Sequence, residues 1–133
     1  MRTTKFRAWD NEKGEYDKPV FAAYAGKLHC LLLEFDGSLS EHNMGGLAHE
    51  STFPGRYVLE QFTGLLDAKE KEIYENDIVL LGDTTASRER QSVTFHNGCY
   101  GWWEGGSFAL LSSYTDGGRQ YIEVIGNIHQ DKL

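Results

Sequence analysis

The chain has 133 residues, 40% of them hydrophobic and 13% aromatic, with a formal net charge of −7. This is one ordinary domain or two small subdomains sharing a core, too rich in aromatics for a disordered chain and long enough to fold without metal or disulfide. The longest apolar runs, Leu31-Leu32-Leu33 and Val79-Leu80-Leu81, are strand-sized, which excludes a membrane-spanning helix.

Fifteen glycines and two prolines punctuate short apolar runs, the grammar of strands and tight turns. Phe6-Arg7-Ala8-Trp9 reads as a strand, and Asp10 to Gly14 as a hairpin loop with Gly14 in the left-handed position. Val20 to Tyr24 and Leu28 to Phe35 are the next apolar stretches, and Asp36-Gly37-Ser38 is a turn. Residues 41–55 lack periodicity and read as an exposed loop or insertion, the segment most prone to disorder.

Tyr57 to Thr63 is a strand, and Asp67 to Lys71 a charged turn. Glu72-Ile73-Tyr74 is extended, Asn76-Asp77 turns, and Ile78 to Leu81 is a strand. Residues 83–91 read as a polar loop. Gln91 to His96 is a strand, and Asn97-Gly98 is the strongest hairpin signal in the chain, returning through Cys99 to Trp103. Gly105-Gly106 and Asp116-Gly117-Gly118 mark turns, while Phe108 to Tyr114 fits either a strand or a helical turn. Tyr121 to Gly126 is the last strand, followed by a tail from Asn127 with room for one helical turn. The fold class predicted is mainly β. A β-rich N-terminal subdomain is expected over residues 1–56, with its variable loop near 41–55. A small closed barrel of five short strands is expected over 57–133, since closure removes exposed sheet edges.

Lys5-Phe6-Arg7-Ala8-Trp9-Asp10, then Gln61 to Asp67 followed by Lys71 to Val79, and finally Val124-Ile125-Gly126-Asn127-Ile128-His129 form three stretches. In this order they resemble the YopX-like family of phage and prophage proteins. The resemblance runs end to end, with variable sequence at about residues 15–56 and 83–92. It implies a β-rich fold whose C-terminal part is a Src-homology-3-like small barrel. It also implies a phage or prophage origin in a bacterial cell, and no activity. Glu70 and Asn76 stand where the family commonly has glycine. Asparagine keeps a left-handed turn, whereas glutamate predicts a different turn type at Glu70. Gly64, Asn76 and Gly126 are expected at turns, and Phe6, Trp9, Phe62, Ile73, Tyr74, Ile78, Val124 and Ile125 at strand spacing, so the motifs read as structural.

The charge is uneven. Residues 1–66 hold seven Lys/Arg against nine Asp/Glu, a net of −2, and residues 67–133 hold six against eleven, a net of −5. Nucleic-acid affinity rests on neutralising phosphates, so nucleic acid is disfavoured as a partner and a protein partner fits better. The N-terminus leads into charged sequence without a signal peptide, so a bacterial cytoplasm is the expected location, with no membrane association.

No metal or cofactor site is expected. Zinc wants four His or Cys ligands; His96-Asn97-Gly98-Cys99 and His29-Cys30 give only pairs, whose members are expected on opposite faces. Cys30 and Cys99 read as free thiols serving as small buried hydrophobes. Asp10 to Gly14 fails the calcium-loop frame at Lys13 and Gly14. No catalytic residue is expected: Ser107 lacks a nucleophile-elbow context, and no phosphate-binding glycine loop occurs.

The expected interaction surface is Tyr100, Trp102 and Trp103, set among glycines. Neighbours on a strand point to opposite faces, so if Trp102 faces the core then Trp103 faces outward or into a subunit contact. The functional expectation is a non-enzymatic accessory protein acting through protein contacts, with a homo-oligomer expected. The alternatives are a nucleic-acid-interacting barrel using the same aromatics and a small hydrolase or metal protein.

Overall fold

A computed structural model of the chain describes residues 5–17, 30–33, 36–43, 46–82, 89–115 and 121–130. The fold is mainly β, with thirteen strands and one short helix among the described residues. No helix among them is long and apolar enough to cross a membrane. The chain divides into two compact units, Lys5–Glu60 and Gln61–Leu133. The expected apolar stretch Val20 to Tyr24, the turn Asp116 to Gly118 and the loop over 83–88 lie outside the described residues.

In the first unit, β1 (Phe6–Asp10) and β2 (Glu15–Asp17) form the expected hairpin, pairing Trp9 with Tyr16. The turn closes because Asp10 Oδ1 accepts the backbone N–H groups of Glu12 at 2.9 Å and Lys13 at 3.2 Å, with Gly14 at φ +70°. Burial alone pushes the Asp10 carboxyl up, but Arg56, 3.1 Å away, and those N–H groups outweigh it and hold it below the usual carboxylate range. A second buried acid, Glu60, accepts Arg7 Nε at 2.7 Å and the Tyr16 hydroxyl at 3.0 Å. β3 (Cys30–Leu33), β4 (Leu39–Asn43) and β5 (Gly46–His49) form an antiparallel meander. Ala8, Leu31 and Leu39 make the small core of this unit.

The segment 41–55, expected as an exposed loop, instead carries the end of β4, all of β5 and a 3-10 turn over Glu50–Thr52. No residue of β5 is fully buried and Leu47 is 62% exposed, so the strand has no buried face to impose an alternating pattern. It is placed by antiparallel pairing with β4, Glu41 opposite Ala48, and the 3-10 turn after it is tied back where the Leu39 N–H donates to Glu50 Oε1 at 2.8 Å.

β6 (Tyr57–Leu66) starts in the first unit and ends in the second. In the second unit it pairs with β7 (Glu72–Tyr74), and the register shifts between Phe62 and Leu66, where Gly64 has φ +89°. Gly64 is therefore a bulge glycine within a strand rather than a turn residue. Gly126 likewise lies within a strand, β13 (Ile122–Asn127), paired with Ile78 just after a register shift that leaves Ile125 unpaired in the ladder. β13 pairs with β8 (Asp77–Leu81), which pairs with β9 (Glu89–Ser92). Glu89 and Arg90 fall in the expected polar loop, and Gln91 where that loop meets the expected strand. They belong to β9, an edge strand whose charged residues Glu89 and Arg90 face solvent, as edge strands commonly do. Val93 interrupts the run before β10 (Thr94–His96). The core gathers Ile73, Val79, Leu81, Val93, Trp102, Leu111, Ile122 and Val124.

The turn after Asp67 corrects a further expectation. Glu70 does not switch to another turn type; it adopts φ +63°, and Asn76 likewise stands at φ +70°. A glutamate pays a steric cost in that region that glycine avoids, partly offset by glycine's larger unfolded-state entropy. Glu70→Gly is expected to raise the unfolding free energy by about 1 kcal/mol, read as a higher urea midpoint at unchanged slope.

Candidate functional site

The expected interaction residues lie in one antiparallel sheet. Asn97 and Gly98 have φ of +49° and +78°, the signature of a tight hairpin turn, and join β10 to β11 (Cys99–Glu104). Gly105 at φ +61° turns β11 into β12 (Ser107–Leu110), and the helix Ser112–Thr115 follows. The stretch Phe108 to Tyr114 is thus strand first and helix after. The register pairs His96 with Cys99, Trp103 with Phe108 and Gly101 with both Thr94 and Leu110.

Directly paired residues share a face, so this register sorts the aromatics into two sets. Trp102 faces the core, 1% exposed, with its ring 4.9 Å from that of Tyr114 and its Nε1–H donating to Glu104 Oε1 at 2.9 Å. Tyr100 is half-buried beside that core, its ring 5.0 Å from Phe95. Trp103 points the other way and is 51% exposed. The three expected residues therefore do not form one surface: burial removes Trp102 from it, and Tyr100 lies on the face opposite Trp103.

The outward face is a different set. Trp103 is held by His96 at 4.7 Å and Phe108 at 5.2 Å between ring centroids, and His96 touches Phe108 as well. Leu110, 41% exposed, continues the patch. Gly101 lies under it; a Cβ there would meet the Ala109 carbonyl oxygen and come within 3.0 Å of Phe108 Cε2. His96, Phe108 and Leu110 escaped the sequence reading, although the Asn97-Gly98 turn puts His96 on the face of Trp103 and the Gly105-Gly106 turn puts Phe108 and Leu110 there. Thr94, His96, Cys99, Gly101, Trp103, Phe108 and Leu110 make up this face, and none is Asp, Glu, Lys or Arg.

Two expectations about sulfur and nitrogen change here. Cys99 is an exposed free thiol, not a buried hydrophobe. His96 and Cys99 share a face because they are cross-strand partners, yet His96 is surrounded by rings. Among the described residues no three of His, Cys, Asp or Glu come together as a metal site would require. His29 lies outside those residues. Ser107 is exposed at the first position of β12.

A cavity of about 680 Å³ opens at the end of this sheet, lined by Leu81, Glu89, Gln91, Trp103, Glu104 and Tyr114 among others. Burial, then the Glu104 charge and hydrogen bond, then Glu89, push the Tyr114 hydroxyl up. A smaller cavity of about 260 Å³ lies between Phe62, Thr63, Phe95 and Tyr100.

The polar residues of the recognisable stretches hold backbone. Asp67 accepts the N–H groups of Lys69 and Lys71 at 2.8 Å each and of Val124 at 2.9 Å. Asp77 accepts Tyr74 N–H at 2.8 Å, and Asn127 Oδ1 accepts those of His129 at 3.0 Å and Gln130 at 3.1 Å.

Comparison with known proteins follows the same outline. The family model described as YopX protein matches residues 5–132. Protein EF1440 from Enterococcus faecalis is similar in structure at a TM-score of 0.62 and 23% identity, over 98% of this chain and 96% of that one. The YopX protein of Bacillus subtilis is similar at 0.59 and 22% identity, over the same shares of 98% and 96%. No curated protein matches the chain.

Proposed function

The chain belongs to the YopX family, and from that premise we propose that it is a phage- or prophage-derived accessory protein of the bacterial cytoplasm. In this reading it works through protein contacts, self-association first among them, and not by catalysis. The observation that carries this is the outward face of β10–β12, where Trp103, His96, Phe108 and Leu110 form an apolar patch without a charged residue. Exposed aromatic patches of this kind are where proteins meet. A chain of net charge −7 repels its own copies over most of its surface, and a charge-free face is where two copies meet without that repulsion.

The second unit is read as a Src-homology-3-like barrel, a reading supported by the return of β13 onto β8 and by its short antiparallel strands. Exposed Phe95 and Trp103 are also rings on which bases stack, but the net charge of −5 over residues 67–133 opposes a phosphate backbone.

Native mass spectrometry at low salt tests the reading. A multiple of 15.1 kDa is expected, reverting to a single chain mass in Phe108→Ser with an unchanged circular dichroism spectrum. A wild-type monomer at high micromolar concentration overturns self-association, and bound oligonucleotide mass overturns the preference for protein.

A further inference from the structure

The cavity at the Trp103 end of β11 has a feature that the outward patch lacks: two carboxylates that no cation among the described residues pairs. Glu104 is oriented by one hydrogen bond, its carboxylate accepting the Trp102 indole N–H at 2.9 Å, and its charge lies close enough to Tyr114 to push that hydroxyl up. Glu89, from the edge strand β9, adds a second carboxylate to the same wall. Neither forms an ion pair among the described residues. The remaining lining is Trp103, Tyr114, Leu81, Gly105 and the Gln91 amide, so two aromatic rings stand beside the carboxylates. Both charges act on Tyr114 in the same direction, which marks the cavity as a region of negative potential.

We infer that this cavity receives an arginine side chain from a basic segment of a partner protein. The inference rests on the reading of the chain as a protein-contact module and specifies the chemistry of one partner. A guanidinium suits the lining on three counts. It is planar and stacks on aromatic rings, it donates in a fork that carboxylates accept, and it sheds water more readily than an ammonium. A volume of about 680 Å³ lies in the range of cavities that bury a ligand, and it admits the side chain with part of its backbone. A metal ion is a poorer occupant, since no third His, Cys, Asp or Glu joins the two carboxylates among the described residues. A second copy is also a poorer occupant, because it brings seven further net negative charges towards an already negative wall.

The test uses the full isotope-labelled chain titrated with the tripeptide acetyl-Gly-Arg-Gly-amide. Its counterparts carry lysine, or citrulline, which is isosteric but uncharged, in place of arginine. The reporter is the indole N–H resonance of Trp102, one of three tryptophans, because that group donates to Glu104. A saturable shift is expected with arginine, a weaker one with lysine and none with citrulline, and the arginine response should weaken as salt is raised. Glu104→Gln keeps an oxygen for the indole and should weaken binding about tenfold. Glu89→Gln, at an exposed position with no side-chain hydrogen bond among the described residues, should weaken it about threefold.

A flat titration, an equal response to citrulline, or wild-type affinity in both variants overturns the inference. If a flat titration accompanies an oligomeric mass, the cavity reading falls while the contact reading stands. If a monomeric chain binds the arginine peptide, self-association falls and the cavity reading stands. Dissociation of an oligomer by the peptide would make the occupant a second copy and overturn the assignment to a different protein.

Discussion

Trp102→Ala is expected to lower the unfolding free energy by about 4 kcal/mol, against about 1 kcal/mol for Trp103→Ala. The two residues are adjacent and chemically identical, so the contrast isolates the face on which each lies. Trp102 is 1% exposed and packs within a cluster that includes Val93, Leu111 and Ile73. Truncation removes its transfer energy and leaves a void between rigid strands, and the Tyr114 ring loses its neighbour at 4.9 Å. Glu104 loses the indole donor, a smaller effect because Glu104 reaches solvent. Trp103 leaves behind only its contacts with His96 and Phe108. Urea unfolding followed by circular dichroism measures both, on monomeric samples so that association does not contribute. Equal losses would mean that the register pairing Trp103 with Phe108 is wrong, and the outward patch would fall with it.

The neighbouring register, of β10 on β11, is where the sequence was most legible. Asn97-Gly98 demands positive φ at both positions, and only one pairing of the flanking residues follows from such a turn. Asp10 to Gly14 and Asp36 to Ser38 are legible for a similar local reason, since a carboxylate closes each turn onto nearby N–H groups. Legibility failed where structure depends on partners distant in sequence. β5 carries no buried residue, and Leu39 finds Glu50 eleven positions away, which no local pattern announces. The Arg7–Glu60 pair spans 53 positions and joins residues that alone read as surface charges. The candidate cavity was hidden for the same reason: Glu89, Glu104 and Tyr114 come from three elements, and only the return of the chain brings them together. Glu70 shows the opposite limit. Residue preference argued for a new turn, but the backbone N–H groups of Lys69 and Lys71 that Asp67 accepts on either side of Glu70 hold the left-handed conformation regardless.

Those bonds carry the second large expected effect. Asp67→Ala is expected to cost about 3 kcal/mol, and Asp67→Asn most of that amount. The carboxylate is an acceptor at both oxygens: Oδ1 takes the N–H groups of Lys69 and Lys71, and Oδ2 takes that of Val124. The two lysine N–H groups belong to exposed turn residues and can turn to water when the acceptor is lost. The Val124 N–H cannot, because it lies in a buried part of β13, and an unsatisfied buried donor keeps its full desolvation penalty. Asparagine keeps one oxygen but must present an NH₂ at the other position, donor against donor, which is why a near-isosteric change is still costly. Asp67 also fixes the 67–71 turn that brings Ala68 N–H onto the Ile122 carbonyl at 2.8 Å, so the turn and the first residue of β13 should loosen together. Hydrogen exchange on Asp67→Asn would show this as lost protection at Val124 and Ala68, with protection in β10–β12 falling only by the global change. The same variant separates architecture from chemistry. A residue that serves the fold loses stability on this substitution, and any loss of association or arginine binding follows the unfolded fraction. A residue that contacts a partner would lose binding at unchanged stability, and that outcome would move Asp67 from the scaffold to the site.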